Sequence, residues 1–193
     1  MKNKGIAYTI AAYTLWGFIP VYFKFLKEVP PLQIISHRLM WSFVFLTVLL
    51  LLRRELPALV ASIRPRVVLI YLCAGIFLAL NWLTFVWAVN NGHVVESSLG
   101  YFINPLLSVV LGLVFLGERF RSFQWIPVGL AAVGVVYLTV IYGAVPWISL
   151  ALAFTFGLYG LVKKIAPLGS LHGLELETAL ILLPAVVYLI FVN

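Results

Sequence analysis

Between Asn81 and Glu118 the chain reads NWLTFVWAVNNGHVVESSLGYFINPLLSVVLGLVFLGE. Two apolar runs meet there at a short polar hinge, Asn90-Asn91-Gly92-His93. Each run is long enough to cross a bilayer, which takes about 20 helical residues. This restricts the fold strongly, because a backbone in hydrocarbon must satisfy its own polar groups, and only helices or closed barrels do so. The second run carries Glu96, Gly100, Asn104, Ser108 and Gly112 at intervals of four, on one slowly drifting helix face. Such a face gains nothing in lipid alone. It gains by lining a cavity or by packing tightly on a neighbour. The run stops at Leu116-Gly117-Glu118-Arg119, where charge returns and reads as a structural stop at the interface.

The rest of the chain repeats this design. Hydrophobic residues make up 64% of it and charged residues 10%, whereas a soluble domain carries about a quarter charged residues. Seven spans follow: Ile6–Phe25, Leu32–Leu52, Val67–Val89, Val94–Leu116, Phe123–Tyr142, Pro146–Val162 and Leu174–Val192. Alternating segments of a membrane barrel are absent. Lys2 and Lys4 precede the first span as in a signal peptide, but the run is long, holds Trp16 and Pro20, and lacks a small-residue cleavage site, so it reads as retained. The single cysteine, Cys73, excludes an internal disulfide framework.

A net charge of +7 does not form a nucleic-acid face, because the charges come in short bursts between spans. With a cytoplasmic N-terminus, the inner segments collect Lys2, Lys4, Arg53, Arg54, Arg64, Arg66, Arg119, Arg121, Lys163 and Lys164, against only Lys24 and Lys27 outside. That asymmetry orients the protein and predicts an outer C-terminus at Asn193. The chain also shows a weak repeat. Ala12-Tyr13-Thr14-Leu15-Trp16-Gly17 in span one is matched, with a one-residue gap, by Ala153-Phe154-Thr155-Phe156-Gly157 in span six. A repeat of five spans inverts its second copy in the membrane, a common transporter architecture.

Several motifs then resemble the EamA transporters of the drug/metabolite transporter superfamily, and within them the RarD branch. They are Trp16-Gly17, His37-Arg38, Asn81-Trp82, the Trp87–His93 segment, Leu99-Gly100-Tyr101-Phe102-Ile103-Asn104-Pro105-Leu106, Leu116-Gly117-Glu118-Arg119, Pro146-Trp147 and Phe156-Gly157-Leu158-Tyr159-Gly160. The resemblance implies an all-α multi-span bundle of two inverted five-helix repeats in the inner membrane, moving small molecules. On that pattern residues 1–142 form a first EamA repeat, and 146–193 hold the first two helices of a second, incomplete one. The expectation is therefore a small-molecule permease or exporter, working by alternating access around a central cavity. Its partners are an unidentified small molecule and the lipid bilayer, with a homo-oligomer or further C-terminal spans completing the bundle. The other reading is a non-transporting membrane protein, or an inactive truncated remnant acting in assembly.

Polar residues inside the spans mark where a site would lie. At 1.5 Å of rise per residue, Arg38 lies roughly 10 Å, Asn81 roughly 12 Å and Asn104 roughly 15 Å below the outer surface. Glu96 sits in the first turn of its helix near that surface. The inner halves of the same helices are Leu, Val and Phe. The pattern predicts a cavity that opens outward and narrows near Trp16 and Asn104.

Two readings stand for most of these residues. Arg38 snorkels to headgroups, or it faces the cavity to bind an anion or pair with Glu96 as a gate. Glu96 complements the helix dipole or couples transport to a titrating group. Asn81 and Asn104 join helices or touch substrate. Trp16, Trp82 and Tyr101 are candidate walls, with Trp87 and Tyr22 as interface anchors. Gly17, Pro20 and Pro105 loosen their helices, and Pro105 releases a carbonyl near Tyr101. Gly75-x-x-x-Ala79 and Ser108-x-x-x-Gly112 read as close helix packing. His37 reads as a packing residue. No Asp, no H-E-x-x-H and no G-x-S-x-G occurs, so neither an enzyme nor a metal or other cofactor is expected.

Overall fold

The computed structural model describes residues 2–117, 119, 121–143 and 146–192. Glu118 and Asn193, and with them the charged stop and the C-terminal end, lie outside the described residues. The elements are α1 (Lys2–Phe25), α2 (Pro31–Leu52), α3 (Leu56–Ala61), α4 (Pro65–Asn90), α5 (Val94–Leu116), a 3-10 turn (Ser122–Gln124), α6 (Trp125–Tyr142), α7 (Trp147–Ile165) and α8 (Ser170–Val192). All but α3 are long and apolar enough to cross a membrane, as an all-α multi-span bundle requires.

Local chemistry sets the ends of these helices. Pro31 and Pro65 open α2 and α4, where the missing N–H costs nothing and the fixed φ is already helical. The hinge between α4 and α5 is closed by its own polar groups. Asn91 Nδ2 donates to the Trp87 carbonyl at 2.8 Å, and the His93 amide donates to the Ala88 carbonyl at 2.8 Å. Gly92 takes φ +85° there, a left-handed turn that favours a residue without Cβ. Pro20 and Pro105 both lie within continuous helices, so each loosens one turn without ending the helix. Pro184, unremarked in the sequence, does the same in α8.

α8 begins four residues earlier than the hydropathy suggests. Ser170, His172 and Gly173 dilute the apolar signal there, yet the Gly173 amide already bonds the Gly169 carbonyl at 2.8 Å. Beyond this extra turn, Glu175 and Glu177 lie inside the bundle, where both are buried. The short α3, in the basic loop after α2, was likewise not legible from hydropathy.

Helix α4 is the hub and packs against α1, α2, α5, α7 and α8. α7 lies against α5 and α4, and α8 against α2 and α4, so the last two helices are built into the first five. The core joins Phe23, Ile34, Ile35, Phe85, Val86, Ala88, Val89, Ile148 and Leu152 from four helices. Close approach depends on missing side chains. A Cβ at Gly75 would lie 2.8 Å from Ile181 Cδ1 and 3.2 Å from the Glu177 carbonyl. One at Gly100 would lie 3.1 Å from the Ser149 carbonyl. The small-residue face of α5 is therefore packed on α7, with the Ser149 hydroxyl donating to the Glu96 carbonyl. α1 and α6 sit at the periphery and bury the least.

Candidate functional site

The bundle has two ends. One carries Trp87, His93 and Trp147, stacked or tilted together at the α4–α5 hinge. The other carries Arg53, Lys163 and the α7–α8 connection. Toward the Trp87 end, α1, α2 and α4 enclose an open groove of about 940 Å³. Trp16 and Tyr22 come from α1, His37, Arg38 and Trp41 from α2, and Trp82 from α4. Three of the sequence-predicted cavity residues, Trp16, Arg38 and Trp82, therefore share one lining.

Arg38 defines the chemistry of this groove. Its guanidinium carbon lies 3.6 Å from the centroid of the Trp82 ring. Trp82 is in turn held edge-on by Phe85 at 5.7 Å and Phe23 at 6.3 Å. Stacking on the indole offsets about 0.5–2 kcal/mol of an insertion cost of about 2.5–3.5 kcal/mol for a buried arginine. It covers one face of the guanidinium and uses none of its N–H donors. Among the described residues no carboxylate lies within ion-pair distance of Arg38. The planar fork is thus positioned by an aromatic face and left chemically open.

The other predicted residues are engaged elsewhere. Asn81 is buried, and its amide donates to the Leu152 carbonyl and to Thr155 Oγ1, both at 2.9 Å. It clamps α4 to α7. Asn104 accepts a long 3.5 Å hydrogen bond from Ser108 on its own helix, and α5 contributes nothing to the groove lining. Tyr101 packs edge-on against Phe85 at 6.1 Å and does not line the groove. The Glu96 carboxylate lies 2.8 Å from His93 Nδ1. It serves the α4–α5 hinge, and it makes no ion pair with Arg38.

A second, narrow cavity of about 80 Å³ runs between α2, α4 and α8. It shares Arg38, Ser42 and Trp82 with the groove and reaches Gly75, Glu177 and Thr178. Glu177 belongs to a buried polar cluster that the sequence reading missed. Lys163 Nζ lies 2.7 Å from Glu177 Oε1, and the Tyr159 hydroxyl donates to Oε2 at 3.4 Å. Lys163 also faces the Tyr71 ring at 5.1 Å. The Tyr71 hydroxyl accepts from the Leu168 amide at 2.9 Å and so ties α4 to the α7–α8 connection. Nearby, Thr47 Oγ1 donates to Glu175 Oε1 at 2.6 Å, joining α2 to α8. The available signal was Glu175-x-Glu177 close to an apolar run, with Lys163-Lys164 closing the preceding helix.

Comparison with known proteins follows the same lines. The model of the EamA-like transporter family matches residues 3–140. The chain is 47% identical over 190 residues to an uncharacterized transporter of Vibrio cholerae, covering 98% of this chain and 63% of that protein. It is 44% identical over 188 residues to Protein RarD of Escherichia coli K12, covering 97% of this chain and 64% of the relative. It is 31% identical over 189 residues to the Chloramphenicol-sensitive protein RarD of Pseudomonas aeruginosa, covering 95% and 63%. The chain thus spans less than two thirds of the length of these relatives. No solved structure matches it.

Proposed function

The chain belongs to the EamA-like transporter family, and from that premise we propose that it is a multi-pass inner-membrane permease whose ligand enters the Arg38 groove. The ligand is a small organic molecule with a flat apolar body and an anionic group. Trp16, Trp41 and Trp82 offer faces for the body, and the Arg38 fork offers paired donors for a carboxylate. With the orientation given by the positive charges, the groove opens to the outer side and the Lys163 end faces the cytoplasm. Alternating access then consists of closing this groove and opening the Lys163 end.

The observation that carries this reading is the stacked arginine. A guanidinium fixed on Trp82, with no carboxylate partner among the described residues, faces an aromatic volume large enough for a small molecule. A snorkelling arginine would reach for headgroups and would need no such ring.

The test is binding followed by flux. Purified protein is titrated with aromatic carboxylates while tryptophan fluorescence is read, and the ligands that bind are then tested for uptake into proteoliposomes. Saturable quenching that disappears in Arg38→Ala, with ligand-dependent flux in the parent, is the expected result. Quenching unaffected by Arg38→Ala refutes the assigned site.

A further inference from the structure

Arg38 lines the cavity between α2, α4 and α8, Lys163 reaches the Glu177 of that cavity from α7, and the two cations stand in opposite states. Among the described residues Arg38 has no carboxylate within ion-pair distance, whereas Lys163 is held by Glu177 at 2.7 Å. One carboxylate, Glu177, borders the cavity that also touches Arg38. Its side chain is almost fully enclosed, at 1% exposure.

We propose that Lys163 is a second carboxylate-binding site, occupied in this structure by the Glu177 carboxylate in place of a ligand anion, and that Glu177 exchanges between Lys163 and Arg38 as the ligand moves between them. The proposal builds on the groove reading for its entry site. The recognition chemistry at Lys163 is independent of it.

Geometry and charge support the exchange. Lys163 is walled by the rings of Tyr71 and Tyr159, which repeats with an ammonium what Trp82 does for Arg38. Gly173 lets α8 close directly onto the pair, since a Cβ there would lie 2.7 Å from the Tyr71 ring and 2.9 Å from Lys163 Nζ. A ligand carboxylate arriving at Lys163 leaves Glu177 without its cation. In a low-dielectric seam that is costly unless a second cation is near. Arg38 lines the same cavity. With the ligand on Arg38, Glu177 neutralises Lys163; with the ligand on Lys163, Glu177 neutralises Arg38. Each state holds two cations and two carboxylates. The groups facing Glu177 are Lys163 and Tyr159 from α7 and Tyr71 from α4, with Arg38 of α2 across the cavity. Glu175, two residues away, turns instead to Thr47.

The experiment uses benzoate and isothermal titration of the full chain in detergent. The parent is expected to bind one benzoate and Glu177→Gln two, because both cations are then open. Lys163→Met with Glu177→Gln should return to one site, and Arg38→Ala with Glu177→Gln should retain one. An unchanged stoichiometry in Glu177→Gln, or an added site that survives Lys163→Met, overturns the proposal. If instead the parent binds none and Glu177→Gln gains one Lys163-dependent site, the groove reading fails and the second site stands.

Glu177→Asp guards against a folding defect. It shortens the carboxylate arm by one methylene and keeps the charge. Its unfolding midpoint should rise more in benzoate than that of the parent, and an equal rise in both overturns the exchange.

Discussion

The two cationic regions of the bundle differ in how their charge is handled. At the Trp87 end Arg38 is stacked on an indole, faces an open groove and, among the described residues, has no carboxylate beside it. At the opposite end Lys163 is enclosed by two tyrosines and a buried glutamate, and the Tyr71 hydroxyl pins the chain next to it. One region is open volume with unused donors, and the other is a satisfied polar network. A buried ion pair contributes little net stability, yet it is expensive to break from one side only. The contrast therefore describes a molecule open at the Arg38 end and latched at the Lys163 end. Variants that remove one partner at a time test it.

The largest effect should follow Lys163→Met. Among the described residues it leaves Glu177 buried with only the long 3.4 Å bond from Tyr159. A loss of about 3–5 kcal/mol is expected, read as a lowered unfolding midpoint in detergent. Lys163→Met combined with Glu177→Leu should recover most of it, because neither charge of the pair remains. A single-variant loss below about 1 kcal/mol would mean that the latch is solvated and the two ends are alike.

Arg38→Ala should behave in the opposite way. Stability should fall by no more than the stacking contribution of about 0.5–2 kcal/mol. Carboxylate binding should weaken by about 1.5–3 kcal/mol, or roughly ten- to a hundredfold, in fluorescence titration. Arg38→Lys should rescue only part of the binding, because an ammonium lacks the planar fork.

How much of this contrast was visible beforehand depends on its range along the chain. The spans were legible because apolar runs of membrane length need no partner to be recognised, and α5 begins and ends where the hydropathy places it. Arg38 was legible as a residue expensive to leave in lipid, and Trp16 and Trp82 as candidate cavity walls. Their meeting in one groove was not, since it depends on which helices neighbour α4. The Lys163 end was hidden for two reasons. Glu175 and Glu177 fall inside the seventh span, and nothing in its hydropathy says that they are buried against other helices. Their partners also lie far away, with Thr47 separated from Glu175 by 128 positions. The buried carboxylates of α8 were not among the polar groups that the sequence pattern gathered near one surface.

A smaller effect tests whether the two ends share one frame. Asn81 joins α4 to α7 between them through its bonds to Leu152 and Thr155. Asn81→Leu should cost about 1 kcal/mol, since interhelical hydrogen bonds in membranes average about 0.6 kcal/mol each. Benzoate affinity should stay within twofold, because the amide donates into the helix pair and lines neither cavity. A large affinity loss would put Asn81 on the ligand.

The smallest expected effect concerns Arg38 and Glu96 together. Both carry charge near the same end, and their opposite signs invite a pair. The structure engages them on separate walls. Arg38 lies over Trp82 on the α2–α4 side. The Glu96 carboxylate is 2.8 Å from His93, whose ring stacks on Trp87 at 5.7 Å. Glu96 therefore holds the α4–α5 hinge, and its removal should loosen that hinge without altering the groove's charge. In a four-protein cycle of parent, Arg38→Ala, Glu96→Gln and the double variant, the unfolding changes should add within about 0.3–0.5 kcal/mol. The benzoate affinities of parent and Glu96→Gln should match. Coupling of 1 kcal/mol or more would mean that Arg38 has an anionic partner at its own end. The groove would then be as closed as the Lys163 cluster, and the contrast between the two ends would fail.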